Sequence, residues 1–182
     1  MQGIYTVGHG TRSFAEIQEL LRARECDFLV DVRSSPFSKF NPDFNIDQLR
    51  RHTASAGITY VFMGDQLGGR PNDPQIYDKT GKIDYQQLRC KEYFQAGLER
   101  LETAAKKDLH VCIMCSEERP EDCHRSKLIG AELQARGINV THIDKAGQNS
   151  SQIVVIERIA SSQLDLFSFD PALTRSRGRY KR

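Results

Sequence analysis

The densest run of reactive side chains in this sequence spans residues 114 to 125, Met-Cys-Ser-Glu-Glu-Arg-Pro-Glu-Asp-Cys-His-Arg. In one reading Cys115 is a nucleophile or persulfide carrier, because the thiolate is the reactive form of cysteine. His124 is then its base or ion-pair partner, and Glu117 helps manage protons. A strand–loop–helix turn here would aim backbone N–H groups at the loop, lower the thiol pKa and attract anions. In a second reading the same atoms bind zinc or iron. Cys115, Cys123 and His124 supply three ligands, and His9 or a carboxylate supplies the fourth. The Cys-x7-Cys-His spacing matches no standard zinc module. In a third reading the two cysteines are small buried hydrophobes, as Cys26, Cys90 and Cys112 are expected to be.

Three further segments carry chemistry. Asp31-Val32-Arg33-Ser34-Ser35-Pro36 closes a buried apolar run. An aspartate there needs a partner, and Arg33 offers a fork for a carboxylate or phosphate. The alternative is an internal Asp31–Arg33 tie that shapes the loop. Lys39 and Phe40 extend that loop toward a ligand. His9 stands between Gly8 and Gly10, where the backbone can approach a ligand closely. Gly64-Asp65-Gln66-Leu67-Gly68-Gly69-Arg70-Pro71 lacks the Lys-Ser/Thr of a phosphate loop. It reads as a flexible lid in which Gly69 lets Arg70 be delivered, and no cofactor is named by it.

The elements that must position these residues alternate strand and helix. Strands are expected at 3–7, 28–32, 58–63, 109–114 and 138–143. Helices are expected at 13 onward, 45–56, 84–107, after Cys123 and at 153–159. Ser13 with Glu16, Asn45 with Gln48 and Asp84 with Gln87 read as capping boxes. The pattern predicts a three-layer α/β/α fold with a mostly parallel sheet of about five strands. Ligands of such sheets bind outside the carboxyl ends of the strands. That rule gathers His9, Asp31, Arg33, Gly64, Asp65, Cys115, Glu117, His142 and Asp144 on one edge.

The chain has 182 residues, 38% of them hydrophobic, which suits one α/β domain over residues 1–163 with a basic tail over 164–182. Its net charge is +2, but Arg175, Arg177, Arg179, Lys181 and Arg182 supply five positive charges. Without them, 21 basic residues face 24 acidic ones, so the body is no general nucleic-acid coat. The tail is expected to be solvated, or else to touch phosphate or nucleic acid. No apolar run reaches the roughly 20 residues that span a bilayer, and no export signal is visible. The five cysteines are therefore expected as reduced thiols in a cytoplasmic protein.

Val7-Gly8-His9-Gly10-Thr11, Asp31-Val32-Arg33-Ser34-Ser35-Pro36, Leu67-Gly68-Gly69-Arg70 and Cys115-x-Glu117 through Cys123-His124-Arg125 together resemble the family catalogued as domain of unknown function 488. The resemblance covers about residues 3 to 145. It implies an α/β fold and a shared polar site at His9, Asp31, Arg33, Gly69, Cys115, Glu117, Cys123, His124 and Arg125. Leu29-Val30-Asp31-Val32-Arg33 also resembles the Asp-x-Arg strand of rhodanese-type sulfurtransferases, which place a reactive cysteine between a strand and a helix.

The function expected is an enzyme acting on a small anionic substrate, a nucleotide or modified base among the candidates. Cys115, His124, Glu117, Asp31 and His9 are its catalytic candidates. Arg33, Arg125, Arg70, Gly69 and Lys39 are its substrate-binding candidates. The alternatives are the metal site on Cys115, Cys123 and His124, or a nucleotide- or nucleic-acid-binding regulatory module.

Overall fold

The computed structural model describes residues 3–161 and 173–180. Strands β1 (Ile4–Gly8), β2 (Phe28–Asp31), β3 (Thr59–Phe62), β4 (Val111–Cys115) and β5 (Val140–Ile143) run parallel. A sixth, β6 (Asn149–Ser151), lies antiparallel to β5. The order across the sheet is β3-β2-β4-β1-β5-β6. The five expected strands are therefore present in an α/β fold. The sixth escaped the sequence because three polar residues, Asn-Ser-Ser, show no apolar period.

All five residues of β4 are buried, as suits a central strand covered on both faces. Its side chains alternate between two cores. Val111, Ile113 and Cys115 pack with Leu98, Leu101 and Leu128, from α5 (Glu92–Lys106) and the turn after the site. Cys112 and Met114 pack with Phe14, Ile17 and Leu21 of α1 (Phe14–Arg22) and Leu49 of α2 (Ile46–Ser55).

The caps divide the expected boxes. Ser13 and Glu16 form theirs fully at the start of α1. Asn45 does not cap α2, because its side-chain oxygen accepts instead from the Ser38 N–H at 2.6 Å. The helix expected over 84–107 is two helices, α4 (Tyr85–Leu88) and α5, broken at a turn that contains neither Gly nor Pro. Asp84 caps α4 by accepting from the Gln86 and Gln87 N–H groups. The stretch read as a flexible lid, 64–71, begins instead with α3 (Gly64–Leu67), and the chain beyond it forms a 3-10 turn at Pro74–Ile76 and a bridge from Tyr77 to Ile83.

The end of the chain corrects another expectation. Thr174 accepts from the Tyr85 N–H at 2.8 Å, and Ser176 pairs with Ile83 through both its N–H and its hydroxyl. Tyr180 donates its N–H to Gly81 at 2.9 Å. Residues 174–180 are thus bound through their backbone to 81–85, while Arg175, Arg177 and Arg179 stay exposed. The contact expected from Leu164 to Phe169 lies outside the described residues, as do Lys181 and Arg182.

Candidate functional site

β4 sits between β2 and β1, with Asp31 level with Met114 and Gly8 level with Cys115. The loops leaving three strands therefore meet at one edge, as the sequence reading expected. Gly8 makes this meeting possible. A Cβ there would lie 1.8 Å from the Glu117 carbonyl oxygen, so any side chain would push the 116–118 loop away. His9 and Gly10 then donate their N–H groups to the carbonyls of Cys115 and Ser116 at 2.9 and 3.0 Å.

On that loop and the following turn, four donors converge. The Sγ atoms of Cys115 and Cys123, a carboxylate oxygen of Glu117 and Nδ1 of His124 all lie within 4.8 Å of one another. His124 Nδ1 is 3.7 Å from both sulfurs. Glu117 Oε2 is 2.7 Å from the Cys115 sulfur and 3.3 Å from that of Cys123. A tetrahedral ion with ligands at 2.0–2.3 Å has donor–donor edges of about 3.3–3.8 Å. Three of the four measured distances fall in that range, and the fourth, the 2.7 Å contact of Glu117 with Cys115, is shorter than such an edge.

The orientation of His124 is set from outside the cluster. Its Nε2 lies 3.2 Å from the Leu67 carbonyl oxygen, which can only accept. Nε2 therefore carries the hydrogen, and Nδ1 turns its lone pair toward the sulfurs. A backbone carbonyl on the far nitrogen is the usual partner of a metal-ligating histidine. The sequence from Arg125 to Gly130 forms a π-helical turn. Such turns recur at functional sites, and this one leaves the Arg125 N–H donating to the Cys123 sulfur at 3.4 Å.

The electrostatics correct the expected activation of Cys115. Burial, then Cys123 and Glu117, push its thiol well above the ordinary value. Burial also raises Cys123, but its hydrogen bond from Cys115 and the charges of Arg125 and His124 outweigh this and carry it well below. Burial lowers His124, yet Cys123 and Glu117 together raise it overall. The Arg125 N–H serves Cys123 and not Cys115, so the support that the turn offers a thiolate falls on residue 123.

The other expected residues divide into three groups. Arg33, Gly69 and Arg70 join Cys115, Glu117 and His124 around a cavity of about 480 Å³. Asp31, His9 and Arg125 stand behind it. Asp31, fully buried, accepts from Arg33 Nε at 2.9 Å, Arg33 Nη2 at 2.7 Å and the Tyr60 hydroxyl at 2.8 Å. It is the internal tie, not a group facing a ligand. His9 stacks on Phe44, and its Nδ1–H donates to Gly10. Burial and the Arg33 charge lower its pKa to about 4, so its bare Nε2 accepts from Arg33 Nη1 at 3.5 Å. Arg125 is fully buried and donates to the Glu117 and Glu118 carbonyls. It holds the loop, where an anion ligand was expected. Lys39 is exposed and does not border the cavity. At the far edge, His142 is enclosed between Thr6 and Gln152 and takes no part in the site.

Tyr85, Arg177, Tyr180, Phe37 and Asp122 also line the cavity and were missed by the sequence reading. Tyr85 lies inside the Asp84–Gln87 box, which marks a helix start and not a ligand, and Tyr180 follows a polar stretch with no motif. Only the clustering of arginine and tyrosine near the end of the chain could have pointed to Arg177 and Tyr180.

Fold and site together define an α/β protein with a Cys–Cys–His–Glu cluster at the carboxyl edge of a mostly parallel sheet. Residues 13–131 match the family described as Domain of unknown function DUF488, and the chain belongs to that family. The match holds the Asp31, Gly69 and Cys115–Arg125 segments, while His9 lies just before it. No curated protein and no solved structure matches the chain. Among the described residues, no helix is long and apolar enough to cross a membrane.

Proposed function

We propose that Cys115, Cys123 and His124 hold a divalent metal ion, zinc by donor type, and that the protein is an enzyme acting on a small anionic substrate in the adjoining cavity. The observation that supports this is the setting of His124, whose Nδ1 is 3.7 Å from both sulfurs while Nε2 is occupied by the Leu67 carbonyl. Two sulfurs and one imidazole form a catalytic zinc set when the fourth position can exchange. Glu117 is that fourth donor. It is the one member of the four that is only half-buried, and it borders the cavity. A divalent ion held there would polarise a substrate oxygen as a Lewis acid. Glu117 is placed to accept a proton beside it.

The thiol-nucleophile reading is favoured by one fact: Cys115 borders the cavity and Cys123 does not. It leaves a carboxylate oxygen 2.7 Å from the attacking sulfur, where like charge opposes the thiolate. Elemental analysis of protein purified without chelator separates the two. About one equivalent of zinc is expected, lost in Cys123→Ser, with cobalt substitution giving a thiolate-to-metal absorption band. Less than a tenth of an equivalent after incubation with zinc overturns the metal reading. Rapid alkylation of Cys115 in the same protein would then support the nucleophile.

A further inference from the structure

The chain's last described stretch is tied to the loop that carries the cluster. Arg177 pairs with Asp122 at 2.9 Å, and Asp122 lies between Cys115 and Cys123. Arg177 and Tyr180 therefore form part of the same cavity wall. Against them comes Arg70, whose guanidinium carbon lies 4.1 Å from the centre of the Tyr180 ring. The Arg70 backbone is fixed by its N–H donating to Ser34 Oγ at 2.8 Å. Its guanidinium has no ion pair among the described residues, so its N–H edge is available to an anion. At the mouth, Phe37 leaves 69% of its surface in water. An aromatic so exposed at a cavity rim gains by being covered.

The cavity lining thus combines two unlike sets of groups. One is Cys115, Glu117 and His124. The other is a flat cation–aromatic stack, a second arginine and an exposed phenyl ring. At about 480 Å³ it has the size of a small-molecule site. We propose that residues 174–180 are the substrate-selecting wall of this cavity, and that the wall admits a planar ring bearing an anionic group, of the mononucleotide class. Arg70 and Arg177 meet the anion. Tyr180 and Phe37 meet the ring, by the stacking that aromatic side chains offer any base. The inference rests on reading the cavity as a substrate site, and does not depend on the metal.

Titration calorimetry on the full chain tests it with four probes: adenosine 5′-monophosphate, uridine 5′-monophosphate, ribose 5-phosphate and adenosine. Both nucleotides are expected to bind at least tenfold more tightly than ribose 5-phosphate, which has no ring, or adenosine, which has no charge. Tyr180→Ala should bring adenosine 5′-monophosphate down to ribose 5-phosphate, and Tyr180→Phe should not. Arg70→Gln should weaken the three phosphates and leave adenosine unchanged. Equal binding of nucleotide and ribose 5-phosphate, unaltered discrimination in Tyr180→Ala, or no binding at millimolar concentration overturns the proposal. Zinc is measured on each sample. Nucleotide discrimination without zinc would sink the metal reading alone, and zinc without discrimination would sink the wall alone.

Discussion

The His124 imidazole lies against Gly69 so closely that a Cβ at position 69 would stand 2.7 Å from Nδ1 and 2.8 Å from Cγ. Position 69 is therefore a stop that sets how far the ring can swing from the sulfurs. Gly69→Ala should turn the imidazole and lower metal affinity about 10–100-fold, the scale seen when the support of a ligand is lost. Competition with a chromophoric chelator measures this, and an unchanged affinity would remove the stop from the account.

Arg125 is the largest fully buried side chain of the described residues, and it saturates two loop carbonyls. Arg125→Met keeps much of the volume but leaves both carbonyls without a donor. The expected loss is about 2–4 kcal/mol of stability, since unsatisfied buried groups cost about 1–3 kcal/mol each. Urea unfolding should show a lower midpoint at unchanged slope. A loss below about 1 kcal/mol would mean that the loop finds other donors.

Tyr60 donates to Asp31 at 2.8 Å, and burial, followed by the neighbouring Asp31 carboxylate, pushes the Tyr60 hydroxyl well above its ordinary pKa. Tyr60→Phe removes one of several bonds to that carboxylate. A cost of about 1–2 kcal/mol is expected, together with weaker ligand binding if the Arg33 loop loosens. Stability equal to the parent chain would show that Arg33 alone satisfies Asp31.

His142 gives a pH signature. Burial lowers its pKa to about 4 from an ordinary 6.5, and its neutral ring bridges Thr6 at 2.6 Å and Gln152 at 2.5 Å. The unfolded chain takes the proton first as pH falls. Stability is then fully present above pH 6.5 and is lost between 6.5 and about 4, at up to about 1.4 kcal/mol per pH unit. His9, also lowered to about 4, adds a slope of the same sign. His142→Gln should therefore flatten the denaturation profile in that window by about half, and an unchanged slope would refute the assignment.

The sequence revealed the site's location better than its division of labour. Apolar runs ending at Val7, Asp31 and Cys115 marked three strand ends, and parallel geometry brought those ends together. What the runs could not show was which polar residue would face outward. Asp31 and Arg33 satisfy each other, His9 braces Arg33, and Arg125 turns to backbone oxygens. Each outcome depends on how side chains turn within the folded loops, from the neighbouring Asp31 and Arg33 to His9 and Arg33 beyond the ends of separate strands, which hydropathy does not encode. The docking of Ser176 on Ile83 is made by backbone and hydroxyl groups. It leaves no trace in hydropathy. The break between α4 and α5 is equally silent, because no Gly or Pro marks it.

Arg125 grips the carbonyl oxygens of residues 117 and 118, atoms that every amino acid possesses. Evolution can therefore rewrite the side chain at 118, whose carboxylate pairs with the exposed Lys145, without disturbing the carboxylate at 117. Position 8 has no such latitude, because a single methyl there would collide with the same oxygen. Among distant descendants of this chain, the glycine at 8 and the arginine at 125 should be inherited together, while the acidic character of the loop between the cysteines drifts.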